Sequence, residues 1–253
     1  MIDVEDRGGV AVLRMKHGKA NALDAEFCLR LAEEFNALRT ASPRSVVLAG
    51  QGGIFCAGVD LVRILEEGPD YTRQFLEMLQ GLCEVVFAFP KPVVAAISGH
   101  AVGGGFVLAC MADRRIMARG AGRIGLPEMQ VGLPFPPGLM EILRFAVPPR
   151  QLARIIYSGA AFEAGPALEH GLVDEVLDPG DLLGGAVAAA GALGEIGQDT
   201  FRLTKAQIRQ SALERMRSQQ REIGAEVERI WTSPETLSRV RLYVEQTLRR
   251  GRP

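Results

Sequence analysis

A chain of 253 residues, 47% hydrophobic and 23% charged, has the make-up of a globular protein large enough to bury a core without covalent staples. Twenty-nine Lys and Arg against 30 Asp and Glu leave a formal charge of −1, which excludes the broad basic footprint that nucleic acids and anionic membranes require. The four cysteines (Cys28, Cys56, Cys83, Cys110) form no CxxC pair, so neither a zinc site nor a redox motif is written here.

The elements follow in chain order. Residues 2–6 and 10–15 read as a hairpin around Gly8-Gly9. Asp24 is placed to cap a helix running to about Arg39, with Phe27, Leu31, Phe35 and Leu38 at helical spacing. Residues 45–49 (SVVLA) are short and apolar throughout, as buried parallel strands are. A loop, QGGIFCAGVD, precedes a helix expected from Asp70 to Phe87. A second buried strand, 92–97, is expected to lead straight into a triple-glycine turn, with a helix from Phe106 and a strand over 115–118. This alternation predicts an α/β fold with mostly parallel strands.

Beyond residue 136 helices dominate. Pro136-Pro137 and Pro148-Pro149 open two of them, and a third spans Glu163–His170. A strand at Leu172–Leu177 separates these from helical stretches at 181–193, 200–230 and 234–249. The last two carry apolar stripes (Leu203, Ile208, Ile223, Trp231) that need a surface, which another subunit could supply. A core domain over 1–195 and a C-terminal helical region over 196–253 are the expected units. Charged Asp3, Glu5, Asp6 and Arg7 read against a signal peptide, and no run of about 18 uncharged apolar residues spans a membrane. With cysteines that read as small core residues in a reducing compartment, a cytoplasmic location is expected.

Several chemistries are missing their signatures. There is no G-x-x-x-x-G-K-[ST] loop, no G-x-S-x-G elbow and no G-x-G-x-x-G, since Leu108 takes its last position. Three histidines (His17, His100, His170) show no metal-ligand spacing, and no metal is expected. Proton chemistry by carboxylates remains, assisted by backbone donors. On its own the run Gly103-Gly104-Gly105 also reads as a plain tight turn. However, a strand that ends in glycines and becomes a helix exposes free N–H groups where a substrate approaches closely. A second glycine-bearing loop, GGIFCAGVDL (52–61), leaves the same edge of the parallel sheet, so amides from both converge on one place.

The segments GGIFCAGVDL, KPVVAAISGHAVGGGFVLA, LPEMQVGL and FEAGPALEHGLVDEV, in this order, resemble the crotonase (enoyl-CoA hydratase/isomerase) superfamily from about Lys19 to Val176. The resemblance implies a (ββα)n spiral core followed by a helical region, and assembly as a homotrimer or hexamer. It also implies an oxyanion hole built from the backbone N–H groups of Val59 and Gly104, holding the thioester oxygen of an acyl-CoA. Lys19 and Ala20, in KANAL, match the family's early CoA-contact segment, and Ala57 and Leu61 line the same pocket. CoA enters as part of the substrate; no separate cofactor is expected.

In the family's hydratases one glutamate follows the glycine run and a second lies in a later turn. The second is present as Glu128; the first position is Val107. Hydration benefits from two acid–base groups, whereas shifting a double bond from C3 to C2 needs one base. The resemblance is therefore closer to Δ3,Δ2-enoyl-CoA isomerases, with Glu128 as proton shuttle and apolar neighbours such as Val107 raising its pKa. A hydratase using Glu128 with or without Glu141, another CoA-thioester enzyme, and a non-catalytic acyl-CoA-binding protein are the competing readings. Asp60 reads as a helix cap, Asp113 and Asp174 as strand-end structural residues, and His100 as a packing or solvent-facing side chain.

Overall fold

The computed structural model describes residues 1–250. The chain opens with strands β1 (Ile2–Asp6) and β2 (Val10–Met15), paired antiparallel as expected, then helix α1 (Ala25–Leu38). Asp24 caps α1, its side chain accepting from the Phe27 N–H at 2.7 Å. Such a cap contributes about 1 kcal/mol.

A unit then repeats three times. β3 (Ser45–Ala49), β4 (Ile54–Cys56) and α2 (Leu61–Phe87) form the first turn. β5 (Val93–Ile97), β6 (His100–Val102) and α3 (Gly104–Cys110) form the second, and β7 (Arg114–Ala118), β8 (Ile124–Gly125) and α4 (Glu128–Val131) the third. In each turn the first strand joins one sheet, ordered β1-β2-β3-β5-β7, and the second joins another, ordered β4-β6-β8. The pairings β3–β5, β5–β7, β4–β6 and β6–β8 are all parallel. This is the (ββα) spiral that the resemblance implies.

The rest of the chain wraps the spiral: α5 (Pro137–Ala146), α6 (Pro149–Ser158), β9 (Ala161–Phe162), α7 (Ala164–Glu169), β10 (Glu175–Leu177), α8 (Leu182–Gly194), α9 (Gln198–Trp231) and α10 (Pro234–Arg250). β9 closes the smaller sheet and β10 extends the larger one.

Both faces of the larger sheet are buried, which is why its strands are apolar throughout. Val12, Val47, Val94 and Ile116 face the small side chains of α8, Ala186 and Ala190. Leu13, Leu48, Ala95 and Met117 face the main core with α1 and α2. That core also takes in Ala212, Met216, Val227 and Trp231 from α9 and Val240 from α10. Thus part of the C-terminal apolar stripe packs on this chain's own core, not on another subunit, while Leu203, Ile208 and Ile223 are exposed. Asp113 anchors α9: its carboxylate accepts from Lys205 Nζ and Arg209 Nη2, each at 2.7 Å, and from the Val93 N–H.

Four expectations are corrected in detail. The segment 51–60 is not all loop, because Ile54–Cys56 forms β4. The helix expected from Asp70 to Phe87 is present, but α2 also carries an unexpected helical segment from Leu61, set off from it by Gly68, whose φ of 80° and ψ of −161° lie outside the helical region, just before Pro69. β5 does not lead directly into the glycines; β6 intervenes. Of the strand expected over Leu172–Leu177, only Glu175–Leu177 pairs. The missed strands have two or three residues, too few for alternation or an apolar run to register.

Candidate active site

The loop after β4 and the turn after β6 meet beside the smaller sheet. Gly58 makes the approach possible: at φ 88°, a Cβ there would lie 2.5 Å from the Val102 carbonyl oxygen and 3.4 Å from the Gly104 nitrogen. Residues on either side are pinned. The Leu23 N–H donates to the Gly58 carbonyl at 2.7 Å, the Asp60 N–H to Leu23 at 2.9 Å, and the Gly103 N–H to Gly125 at 2.8 Å. Asp60 caps α2 through the Arg63 N–H, as expected. Among the described residues, the N–H groups of Val59 and Gly104 have no acceptor. Buried or half-buried amides without partners are rare, and both of these line one cavity. The cavity measures about 80 Å3.

Glu128 enters the same cavity from the third turn of the spiral, as the first residue of α4. Its Oε1 lies 2.8 Å from where a Cβ on Gly103 would stand. The three glycines therefore have separate tasks. Gly103 (φ 56°) leaves room for the carboxylate, Gly104 presents its N–H as α3 begins, and Gly105 packs so closely on Cys56 that a Cβ would fall 2.1 Å from its carbonyl oxygen. Glu128 Oε2 is buried without a hydrogen-bond partner. Loss of water pushes the pKa of this carboxyl up to about 7. Apolar groups that share its cavity include Val102, Val131 and Leu133. Val107, expected to be such a neighbour, is fully buried in the core and is not part of the lining.

Ala57 and Leu61 line the cavity, as the sequence led one to expect. Lys19 and Ala20 do not, but the Ala57 N–H donates to the Ala20 carbonyl at 3.0 Å. This sets Ala20 beside exposed Ala57, with exposed Lys19 preceding it in the chain. Glu141 is held elsewhere: buried to 1% exposure, it accepts from Arg144 and, at 2.7 Å, from Arg215 Nε. Among the described residues, Glu128 is thus the only carboxylate lining the cavity. Asp174 binds Arg115, and His100 is exposed.

No sequence signal pointed to the wall made by Leu79, Leu139, Trp231 and half-buried Tyr243. Trp231 and Tyr243 lie more than a hundred residues from the glycine loops, and no local spacing connects them.

Residues 5–246 match the sequence profile of the enoyl-CoA hydratase/isomerase family. The chain belongs to this family. A putative enoyl-CoA hydratase of Thermus thermophilus is 34% identical over 212 residues, covering 81% of this chain and 82% of that protein. The human mitochondrial enoyl-CoA delta isomerase 1 is 29% identical over 222 residues, 87% of this chain and 74% of its own. Among solved structures, human mitochondrial delta3-delta2-enoyl-CoA isomerase superposes with a TM-score of 0.94 at 26% identity, covering 99% of each chain. An enoyl-CoA hydratase of Mycobacterium ulcerans gives 0.79 at 28% identity, covering 90% of this chain and 97% of that one. Family membership establishes an enoyl-CoA hydratase/isomerase-type enzyme with the crotonase fold, and hydratases and isomerases both stand among its relatives. Among the described residues no cluster of side chains could hold a metal ion, and no helix is long and apolar enough to cross a membrane.

Proposed function

We propose that this member of the family moves the double bond of an enoyl-CoA from C3 to C2, with Glu128 as its single proton shuttle. The observation that carries the reading is that, among the described residues, one carboxylate and no second shares the cavity with the two unpartnered amides. Ionised Glu128 removes a proton from C2, and the electrons move onto the thioester oxygen to give a dienolate. The Val59 and Gly104 N–H groups stabilise that oxygen; one such donor is worth about 3–4 kcal/mol in the transition state. The carboxyl then returns the same proton at C4, so no water and no second acid take part.

A carboxyl with a pKa of about 7 suits this task, since it both accepts and releases the proton near neutrality. CoA is carried in as part of the substrate, its nucleotide end leaving past Ala57 and Ala20, with Lys19 exposed beside them. Assembly as a homotrimer or hexamer agrees with the exposed Leu203 and Ile208. A cytoplasmic location agrees with four free, buried thiols.

Absorbance of the conjugated thioester tests the reading. Purified protein should convert a 3-enoyl-CoA to its 2-enoyl isomer and leave a 2-enoyl-CoA unconsumed. Hydration of the 2-enoyl-CoA at a comparable rate, or full activity in Glu128→Gln, overturns it.

A further inference from the structure

We propose that Trp231 closes the acyl end of the cavity and so restricts this enzyme to short enoyl chains. The inference rests on the acyl-CoA reading of the site, and not on which proton moves.

The lining combines exposed Ala57 with Leu79, Leu139 and Trp231, all at most 3% exposed, so the cavity runs inward from the surface to a buried wall. Trp231 is fixed there on three sides. Its indole N–H donates to the Pro134 carbonyl at 2.9 Å, its ring lies 6.4 Å from that of Phe75, and its backbone ends α9. The hydrogen bond also holds the segment from which Leu133 and Pro136 line the cavity. About 80 Å3 accommodates only a few water-sized groups.

Behind this wall lies a second cavity of about 590 Å3. The same three elements face both spaces. Leu79 of α2 lines the first and Gln80 the second; Trp231 of α9 lines the first and Val227, one turn earlier, the second; Pro136 lines both. The two spaces meet at Pro136, and Trp231 is the largest side chain on the first cavity's side of the partition. The second space is lined by apolar Leu76, Pro137 and Val227 as well as by polar Arg73, Glu77 and Gln80, so a longer aliphatic chain finds room there only once the indole is removed.

The test is calorimetric binding of saturated hexanoyl-, octanoyl- and dodecanoyl-CoA, which cannot turn over, alongside rates with the matching 3-enoyl-CoAs. A single surplus methylene in an apolar pocket costs about 10-fold or more. The wild type should accordingly bind dodecanoyl-CoA at least about 100-fold more weakly than hexanoyl-CoA. Trp231→Ala should narrow that gap to within about 10-fold by joining the two spaces. Leu79→Ala opens the same wall from α2 and decides the matter if Trp231→Ala does not fold by circular dichroism. Equal binding of all lengths by the wild type overturns the proposal, as does an unchanged length limit in the folded variants. A length limit in binding without isomerisation of any 3-enoyl-CoA refutes the isomerase reading and leaves the role of Trp231 standing.

Discussion

Replacing Gly103 with alanine tests the placement of the catalytic carboxylate by a single methyl group. The new Cβ would lie 2.8 Å from Glu128 Oε1, about 0.6 Å short of the 3.4 Å at which ordinary contact begins. Oε2 has no partner holding it, so the carboxylate yields in preference to the backbone. A φ of 56° with ψ of −128° is open to glycine alone and adds about 1–3 kcal/mol of strain. Displacing a reacting group by a fraction of an ångström to 1 Å costs up to about 100-fold in rate. We expect Gly103→Ala to lower kcat about 10- to 100-fold, read by conjugated-thioester absorbance, and stability by about 1–3 kcal/mol, read by thermal melting. If the methyl acts by moving Glu128, it should cost nothing further once that carboxylate is removed. Wild-type kcat in Gly103→Ala, or full additivity with Glu128→Gln, refutes the reasoning.

Glu128→Gln itself should lower kcat by about 100- to 10,000-fold in the same assay. Its effect on stability has the opposite sign. A carboxyl raised from 4.5 to about 7 binds its proton more tightly folded than unfolded, so wild-type stability falls as pH rises through that interval. Above pH 7 the glutamine variant should therefore be more stable by on the order of 3 kcal/mol in denaturant melts, and the difference should vanish below pH 4.5. For the wild type, kcat/KM should rise with pH through about 7 and then level, because the base acts ionised; a profile flat from pH 5 to 9 contradicts the assignment. Asp113→Ala, which strands the buried cations of Lys205 and Arg209, should cost about 3–5 kcal/mol in equilibrium unfolding.

Much of this protein was legible residue by residue. Asp24 before a 3.6-period stripe marked the start of α1, and the apolar runs at 45–49 and 93–97 marked strands buried on both faces, because these signals lie within one element. The two glycine loops, the lone Glu128 and the hydrophobic residue at Val107 were also visible in the chain, as was the likeness to the family. What the one-dimensional pattern lacked was contact between distant segments. Strands of two or three residues exist only because the neighbouring turn of the spiral offers them a partner, as β8 gains from β6 and β9. Glu141 stood in the sequence as a second acid–base group for a competing hydratase reading until the fold set Arg144 and Arg215 on its two oxygens. The raised proton affinity of Glu128 comes from the water excluded around it, and the pocket's end comes from Trp231, brought back from the end of α9. Local sequence decides backbone conformation and which chemical groups are available. Burial, and with it solvation and the choice of neighbours, belongs to the assembled chain, since desolvation depends on every segment that closes over a group.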